Sequence, residues 1–423
     1  MPAFGALVAE PLYVLADTAV VGHLGTPQLG GLAVASSVVL TGYAVFIFLA
    51  YGTTGAVARL IGARDDREAA HQAVQGMWLA LLISVPVVVA GLISAGDLVR
   101  ALGASGGVAT NAEIYLRISM LGVPALLVTL AGTGYLRGRQ DTRTPLLVAL
   151  GANVFNLAAE LALINGFGFG IGASAVATVV AQYGALAVYL GVVARDAART
   201  HGVALSPHWP SIAALARAGG ALVIRTAALR GSLTLATAVA ARIGAVDLGA
   251  HEIAFELWSF LALALDAIAI AGQTMVGKAL GAGDDGAARA MSRRMLELGV
   301  LIGVVFGLVV VALRGVLPHL FSNDRAVIAL GSFLLWYVAA LQPLNAVVFV
   351  LDGVLIGAGD LVYLAWAMLA AVSVFAAAAG VVLAGGLGIG WLWTAIGLFM
   401  AARFAGLYPR YRTGRWAVTG AAR

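Results

Sequence analysis

The side chains in this sequence able to carry chemistry are acids and amides set in apolar surroundings. Asp17 lies in "YVLADTAVV", Asn156 and Glu160 lie in "NLAAELALIN", and Thr178 lies in "SAVATVVAQ". A carboxylate turned toward lipid costs at least ~2.5–3.5 kcal/mol, so each acid must face a protein interior and there pair, take up a proton or coordinate a cation. The competing role is hydrogen bonding to a neighbouring helix as structural glue. Asp17 sits six residues before His23, Glu160 five before Asn165 and Thr178 seven after Ile171. If those three residues mark one membrane surface, the polar groups share a depth of roughly 8–11 Å at ~1.5 Å per residue. Asn156 falls one turn deeper on the Glu160 face, and Tyr13 and Glu10 fall on the Asp17 face. Three helices would thus bring acid, amide and hydroxyl oxygens to one level, an arrangement suited to moving a proton or a small cation.

Further acids occur later in the chain. Glu252 and Glu256 share a helical face and are candidates for attracting a cationic substrate, with a solvated helix end as the alternative. Asp266 lies deeper and is a third candidate. Asp352 directly precedes Gly353 and reads as structural, and Arg225 and Arg230 are available as partners for one of these acids. Other signals fail on inspection. "GFGFGIG" at 166–172 has no strand before it and reads as a tight hairpin rather than a phosphate loop. "HEIAFE" places Phe255 where a zinc motif needs its second histidine, and the chain has no cysteine, so a resident metal is not expected. Neither a nucleophile–base pair nor a nucleotide motif is present. The chain is not expected to be an enzyme or to carry a cofactor, and an ion gradient would be its source of energy.

The elements that must hold these residues are transmembrane helices. Of 423 residues 61% are hydrophobic and 11% charged, and the mean hydropathy is +0.98, where a water-soluble chain carries about 25% charge. Apolar runs of about 20 residues or more recur throughout, without strand-like alternation. They predict an all-α polytopic membrane protein with spans at 3–23, 32–57, 73–98, 111–136, 144–165, 171–194, 213–241, 250–276, 292–317, 327–356, 361–384 and 388–408. The first span opens at Pro2 without the basic region or the cleavage site of a signal peptide. Loop cations crowd one side, among them Arg59, Arg64, Arg67, Arg137, Arg139, Arg143, Arg195, Arg199, Lys278 and the tail from Arg410 onward. Only Arg100, Arg242, Arg314 and Arg325 fall on the other. This bias predicts a plasma or inner membrane protein with both termini cytoplasmic. The net charge of +5 is spread over connecting loops, which argues for topology rather than a nucleic-acid partner.

The spans form an internal repeat. A shift of 219 residues pairs Gly25 with Gly244, Gly62 with Gly281, Asp65 with Asp284, Pro124 with Pro343, Gly134 with Gly353, Gly138 with Gly357 and Asp141 with Asp360. Two six-helix halves of equal orientation follow, a construction found in transporters. The expected division is 1–194 for the first lobe, 195–211 for a polar cytoplasmic linker and 212–423 for the second lobe with its basic tail. Shared positions, such as the "GARDD" and "GAGDD" loops, are expected to serve the fold. Polar groups of one half only are expected to serve function: Asp17, Asn156 and Glu160 fall on Ala236, Phe375 and Ala379.

The stretches "EPLYVLADTAVVGHLGTPQLGGLAVA", "GARDDREAAHQAV", "RGRQDTRTP", "NLAAELALINGFGFGIGASAVATVVAQ" and "LDAIAIAGQTMVGKALGAGD" together resemble the multidrug and toxic compound extrusion (MATE) family, in its DinF-like branch. The resemblance implies a V-shaped pair of six-helix lobes and cation-coupled efflux of a small, cationic, amphipathic substrate by a membrane-embedded monomer. It also implies that Asp17 is the coupling acid, with Tyr13 one turn before it. Asn156, Glu160 and Thr178 match a family cation site in which sodium is the alternative to the proton. Glu160 departs from the usual Asp, and its extra methylene weighs against sodium. A lipid-carrier or polysaccharide flippase of the same superfamily is the nearest alternative function, followed by an intramembrane enzyme; acids rather than bases in the first half, and the long repeat, argue against them.

Overall fold

Long apolar runs fold as helices because a buried backbone can satisfy every N–H and C=O within one helix. In the computed structural model, which describes residues 2–421 except for the side chains of 2–4, 6, 8, 10–13, 15 and 165, no strand occurs among the described residues. The first half contains α1 (Pro2–Gly22), α2 (Thr26–Phe46), α3 (Phe48–Gly62), α4 (Asp66–Ala101), α5 (Gly106–Met120), α6 (Val123–Gly138), α7 (Arg143–Leu161) and α8 (Ile171–Ala194). The second contains α9 (Trp209–Ile243), α10 (Ala245–Gly281), α11 (Asp285–Leu313), α12 (Arg325–Gly357), α13 (Leu361–Ala384) and α14 (Ile389–Arg412). Helices occupy each of the twelve expected stretches, and among the described residues ten, or eleven with the bent pair, are long and apolar enough to cross a membrane; two of the expected stretches are each built from two helices. The span at 32–57 is interrupted at the single residue Ile47, between α2 and α3, within one continuous apolar stretch, Thr26–Gly62. The span at 111–136 bends by 51° between α5 and α6, where Gly122 precedes a helix start carrying Pro124, a residue without the N–H that would continue the ladder.

Two compact units result, Met1–Gly219 and Gly220–Arg423. The repeat reappears within each as matching contacts. A Cβ added to Gly134 of α6 would lie 2.6 Å from the Ala50 carbonyl oxygen of α3, and one added to Gly138 would press on the Thr54 carbonyl oxygen at 3.0 Å. In the second unit a Cβ at Gly353 of α12 would strike the Ala269 carbonyl of α10, and one at Gly357 the Gln273 carbonyl. Ala50 and Ala269, like Thr54 and Gln273, are related by the same 219-residue shift. Each unit therefore seals one helix pair with glycines four residues apart, the close backbone approach that membrane helices use in place of a hydrophobic drive. The turns before α4 and α11 also match. Asp65 caps α4 by accepting from the Glu68 amide at 3.0 Å, and Asp284 caps α11 by accepting from the Ala287 amide at 2.7 Å. Arg64 (φ 59°) and Gly283 (φ 81°) occupy the same left-handed position. We expect Gly353→Ala to lower thermal stability in detergent by about 1–3 kcal/mol, since backbone must move to admit the methyl. Gly380→Ala, where nothing lies within 4 Å of the new carbon, serves as the control and should leave the unfolding midpoint unchanged.

The stretch expected to be a linker is largely fastened down. Residues 195–200 continue α8 as a wider helical turn. Further on, Trp78 Nε1 of α4 donates to the Leu205 carbonyl at 2.8 Å. Gln75 of α4 engages the chain at two points, donating to the Ser206 carbonyl at 3.1 Å and accepting from the His208 amide at 2.7 Å. Ser211 Oγ then lies 3.2 Å from His71 Nε2 and 2.8 Å from His208 Nδ1.

Candidate functional site

The first unit gathers its polar residues where α1, α7 and α8 meet. Asp17 is 4% exposed, Asn156 3%, and Glu160 and Ser174 are fully buried. Ser174 Oγ donates to Asp17 Oδ1 at 2.7 Å, tying α8 to α1. Asn156 Nδ2 donates to Thr178 Oγ1 at 3.0 Å, tying α7 to the next turn of α8, and Thr178 Oγ1 donates back to the Ser174 carbonyl at 3.0 Å. Asn153, one turn before Asn156, donates to the Ala9 carbonyl of α1 at 3.0 Å. Asp17, Glu160 and Thr178, expected at one depth, do come together, with Asn156, expected one turn deeper, joined to Thr178.

Glu160 is the unusual member. Asp17 and Ser174 lie beside its carboxyl group, yet both of its oxygens are buried without a hydrogen-bond partner among the described residues. No ion pair among the described residues includes Asp17 or Glu160. Two adjacent carboxyls out of water cannot both stay ionised unless something positive joins them, because the desolvation of each charge and their mutual repulsion add. A proton shared by the pair, or a cation among the oxygens of Asp17, Glu160, Asn156, Ser174 and Thr178, meets that need. The donor set is all oxygen, which suits a hard ion.

Ser174 was not singled out in the sequence, although it stands four residues before Thr178 on the same face of α8 and the i, i+4 rule would have found it. The side chains of Glu10 and Tyr13, the other two residues assigned to the Asp17 face, lie outside the described residues.

Acids of the second unit do not form a comparable cluster. Glu252 and Glu256 are exposed on α10, with Thr237 of α9 beside Glu252. Asp266 is half-buried, and the ten residues from Glu256 carry it about 15 Å further along the helix. Asp352 is buried and engaged: its Oδ2 accepts from Arg225 Nη2 of α9 at 2.6 Å and from Arg403 Nη2 of α14. Of the two arginines offered as partners, Arg225 takes that role, while Arg230 is exposed and joins none of the ion pairs among the described residues. Arg403, 3% exposed inside α14, reaches Asp352 from a helix 51 residues away, a pairing that the local spacing of charges does not reveal.

Comparison with known proteins follows the same lines. The MatE family model matches residues 2–162 and again 222–382, once per unit. Protein DETOXIFICATION 44, chloroplastic, of Arabidopsis thaliana is 32% identical over 98% of this chain and 82% of its own length. DNA damage-inducible protein F of Escherichia coli K12 is 28% identical, covering 98% of this chain and 92% of that protein. Among solved structures, a MATE protein described in a bent conformation superposes with a TM-score of 0.88 at 19% identity, over 99% of this chain and 93% of its own. A MOP superfamily transporter from Pyrococcus furiosus gives 0.85 at 20% identity, over 99% and 94%. At such identities the solved structures establish the fold.

Proposed function

Because the chain belongs to the multidrug and toxic compound extrusion family, we propose that it is a secondary active exporter that expels small amphipathic organic cations by alternating access and is driven by protons through Asp17. The observation that supports this reading most directly is the pair of buried acids, Asp17 and Glu160, packed side by side with no base among their described partners. In the proposed cycle a substrate cation and a proton compete for the negative charge of that pair. Loading of the proton from outside removes the charge that holds the substrate, and its loss on the inner side restores it. Ser174 and Thr178 connect the state of Asp17 to α8, so a change of charge on α1 is felt as a change of hydrogen bonding between helices. One chain holds the whole cluster, which supports a monomeric unit of function. The distribution of loop arginines supports cytoplasmic termini, and Glu252, Glu256 and Asp266 remain candidates for early contact with a cationic substrate.

Glu160 supports the proton over sodium as the coupling ion. Its side chain is one methylene longer than the Asp of the family pattern, and in the structure its oxygens do not share a hydrogen-bond donor with the Asn156–Thr178 pair. The test is counterflow in proteoliposomes without ATP: a fluorescent organic cation should leave under an imposed pH gradient and stay under a sodium gradient with pH clamped at equal values. Export under sodium alone reverses the assignment of the ion. Movement of a lipid-linked anion with no export of cations under either gradient would instead favour the flippase reading.

A further inference from the structure

On the arginine-rich side of the first unit, where α6 and α8 end, lies a cavity of about 380 Å³ lined by Tyr135, Arg139, Asp141, Val192, Arg195 and Thr200, with Asp196 at its wall. Two acids and two arginines face it, but their charges are not equally available. Asp196 accepts from the Tyr135 hydroxyl and from Arg139 Nη1, the latter at 2.7 Å. Asp141 caps α7, accepting from the amides of Arg143 and Thr144 at 3.0 Å each and from Thr144 Oγ1 at 2.5 Å. Partial burial pushes the Asp141 carboxyl up, yet these hydrogen bonds and the Arg143 charge hold it below the ordinary carboxylate range, so it stays an occupied anion. Each acid is thus already engaged within the fold, Asp196 through Oδ2 with His201 Nε2 3.8 Å from its Oδ1, and Asp141 through both oxygens. Arg139 spends only Nη1 on Tyr135 and Asp196, and Arg195 is exposed with no ion pair among the described residues. The donors left for a ligand are the Arg195 guanidinium and the N–H groups of Arg139 other than those on Nη1, with the Thr200 hydroxyl beside them.

The helix above supplies the second half of the argument. Val188, Val192 and Arg195 fall at i, i+4 and i+7 on one face of α8 and its continuation. Val188 is 47% exposed. An apolar track therefore runs from the body of the membrane-spanning helix into Val192 at the cavity and ends at Arg195. We propose that this cavity is a binding site for the phosphate-bearing headgroup of an anionic phospholipid, with the phosphate on Arg195 and the free face of Arg139 and an acyl chain along Val188 and Val192. A basic pocket between helices at the membrane border is the form such sites take. The volume admits a glycerol-linked phosphate, and the apolar track distinguishes an esterified lipid from a free phosphate ion. Occupancy would brace the turn at 195–200, from which the chain leaves α8 for the connection to the second unit.

The site is read independently of the transport cycle and is tested without transport. Purified full-length protein is delipidated in detergent and offered phosphatidylglycerol, phosphatidylcholine, glycerol phosphate or inorganic phosphate, with retained lipid counted by native mass spectrometry and protection read as a shift of the unfolding midpoint. Wild type should retain phosphatidylglycerol in preference to phosphatidylcholine, and Arg195→Gln should weaken that retention about fivefold, the worth of one arginine near a charged leaflet. Arg325→Gln, which removes an exposed arginine of the second unit, should match wild type. Equal retention by wild type and Arg195→Gln overturns the site. Protection by inorganic phosphate or glycerol phosphate as large as that by the lipid overturns the lipid as its occupant.

Discussion

Asp17→Asn is expected to abolish gradient-driven export while leaving a folded protein. The substitution keeps the shape of the side chain and an oxygen able to accept the Ser174 hydroxyl that now lies 2.7 Å from Asp17 Oδ1. The bond between α1 and α8 survives, and stability should change by no more than about 1 kcal/mol, the net worth of one such hydrogen bond. What disappears is the ability to exist in two charge states. In a coupled carrier, each unit of difference in pKa between two conformations is worth about 1.4 kcal/mol, and two units bias the equilibrium about a hundredfold. A side chain that never titrates supplies none of this, so export should fall to the rate of empty liposomes and substrate binding should lose its dependence on pH. Glu160→Gln should do less harm. Glu160 holds no hydrogen-bond partner among the described residues and is the position that departs from the family pattern, whereas Asp17 is the acid that joins two helices. Both variants are assayed in the same proteoliposomes, with near-zero export expected for the first and a partial rate for the second. An equal or greater loss from Glu160→Gln would invert the order. If Asp17→Asn exports at the wild-type rate with the wild-type pH profile, the acid is structural and coupling must be sought at Asp266 or Glu256.

The other large effect is on folding. Asp352→Asn removes the carboxylate that engages two buried guanidinium groups, Arg225 at 7% and Arg403 at 3% exposure. Breaking a buried pair from one side costs about 3–5 kcal/mol, because the charges left behind remain dehydrated. The loss falls on Arg403, buried inside α14, as well as on the contact to Arg225, and it is set against a total stability of only about 5–15 kcal/mol for a typical domain. The yield of protein surviving detergent extraction should collapse and the unfolding midpoint fall. Coupling identifies the cause: Arg403→Met in the Asp352→Asn background should recover stability instead of subtracting more, since it removes one of the stranded charges. If the single variant is as stable as wild type, the carboxylate is not what keeps the two arginines buried.

The all-helical membrane architecture, the repeat and the meeting of Asp17, Glu160 and Thr178, with Asn156 one turn away, were legible because each rests on periodicity, which a linear sequence preserves. Depth in particular needs only the distance of a residue from its helix end, and it was enough to predict that three helices meet at one polar cluster. What sequence reasoning missed depends on which faces turn toward one another. Ser174 looks like any small residue of a membrane helix until α8 is rotated against α1. Arg403 finds Asp352 across 51 residues, a pairing that no local pattern encodes. The break near Pro124 was visible as a residue type, but the matching Pro343 lies inside the unbroken α12, so proline alone does not decide where a span divides. The segment at 195–211 reads as polar and proline-bearing; its attachment to Gln75 and Trp78 is made through its backbone, and composition says nothing about that.

That attachment redistributes mechanical compliance along the chain. A loop between two repeats ordinarily behaves as slack string, whose slow entropic spring absorbs displacement at either end. Here the string is pinned at Leu205, Ser206, His208 and Ser211, and the boundary of the first compact unit lies beyond it, at Gly219–Gly220 within α9. One continuous helix thus crosses the boundary, and there it carries a pair of adjacent glycines, each giving up about 1 kcal/mol of helix propensity relative to alanine. Gly219 is closely backed by Phe48, while Gly220 has nothing within 4 Å of the missing Cβ. Within α9 itself, resistance to bending is therefore lowest over the one helical turn at Gly219 and Gly220.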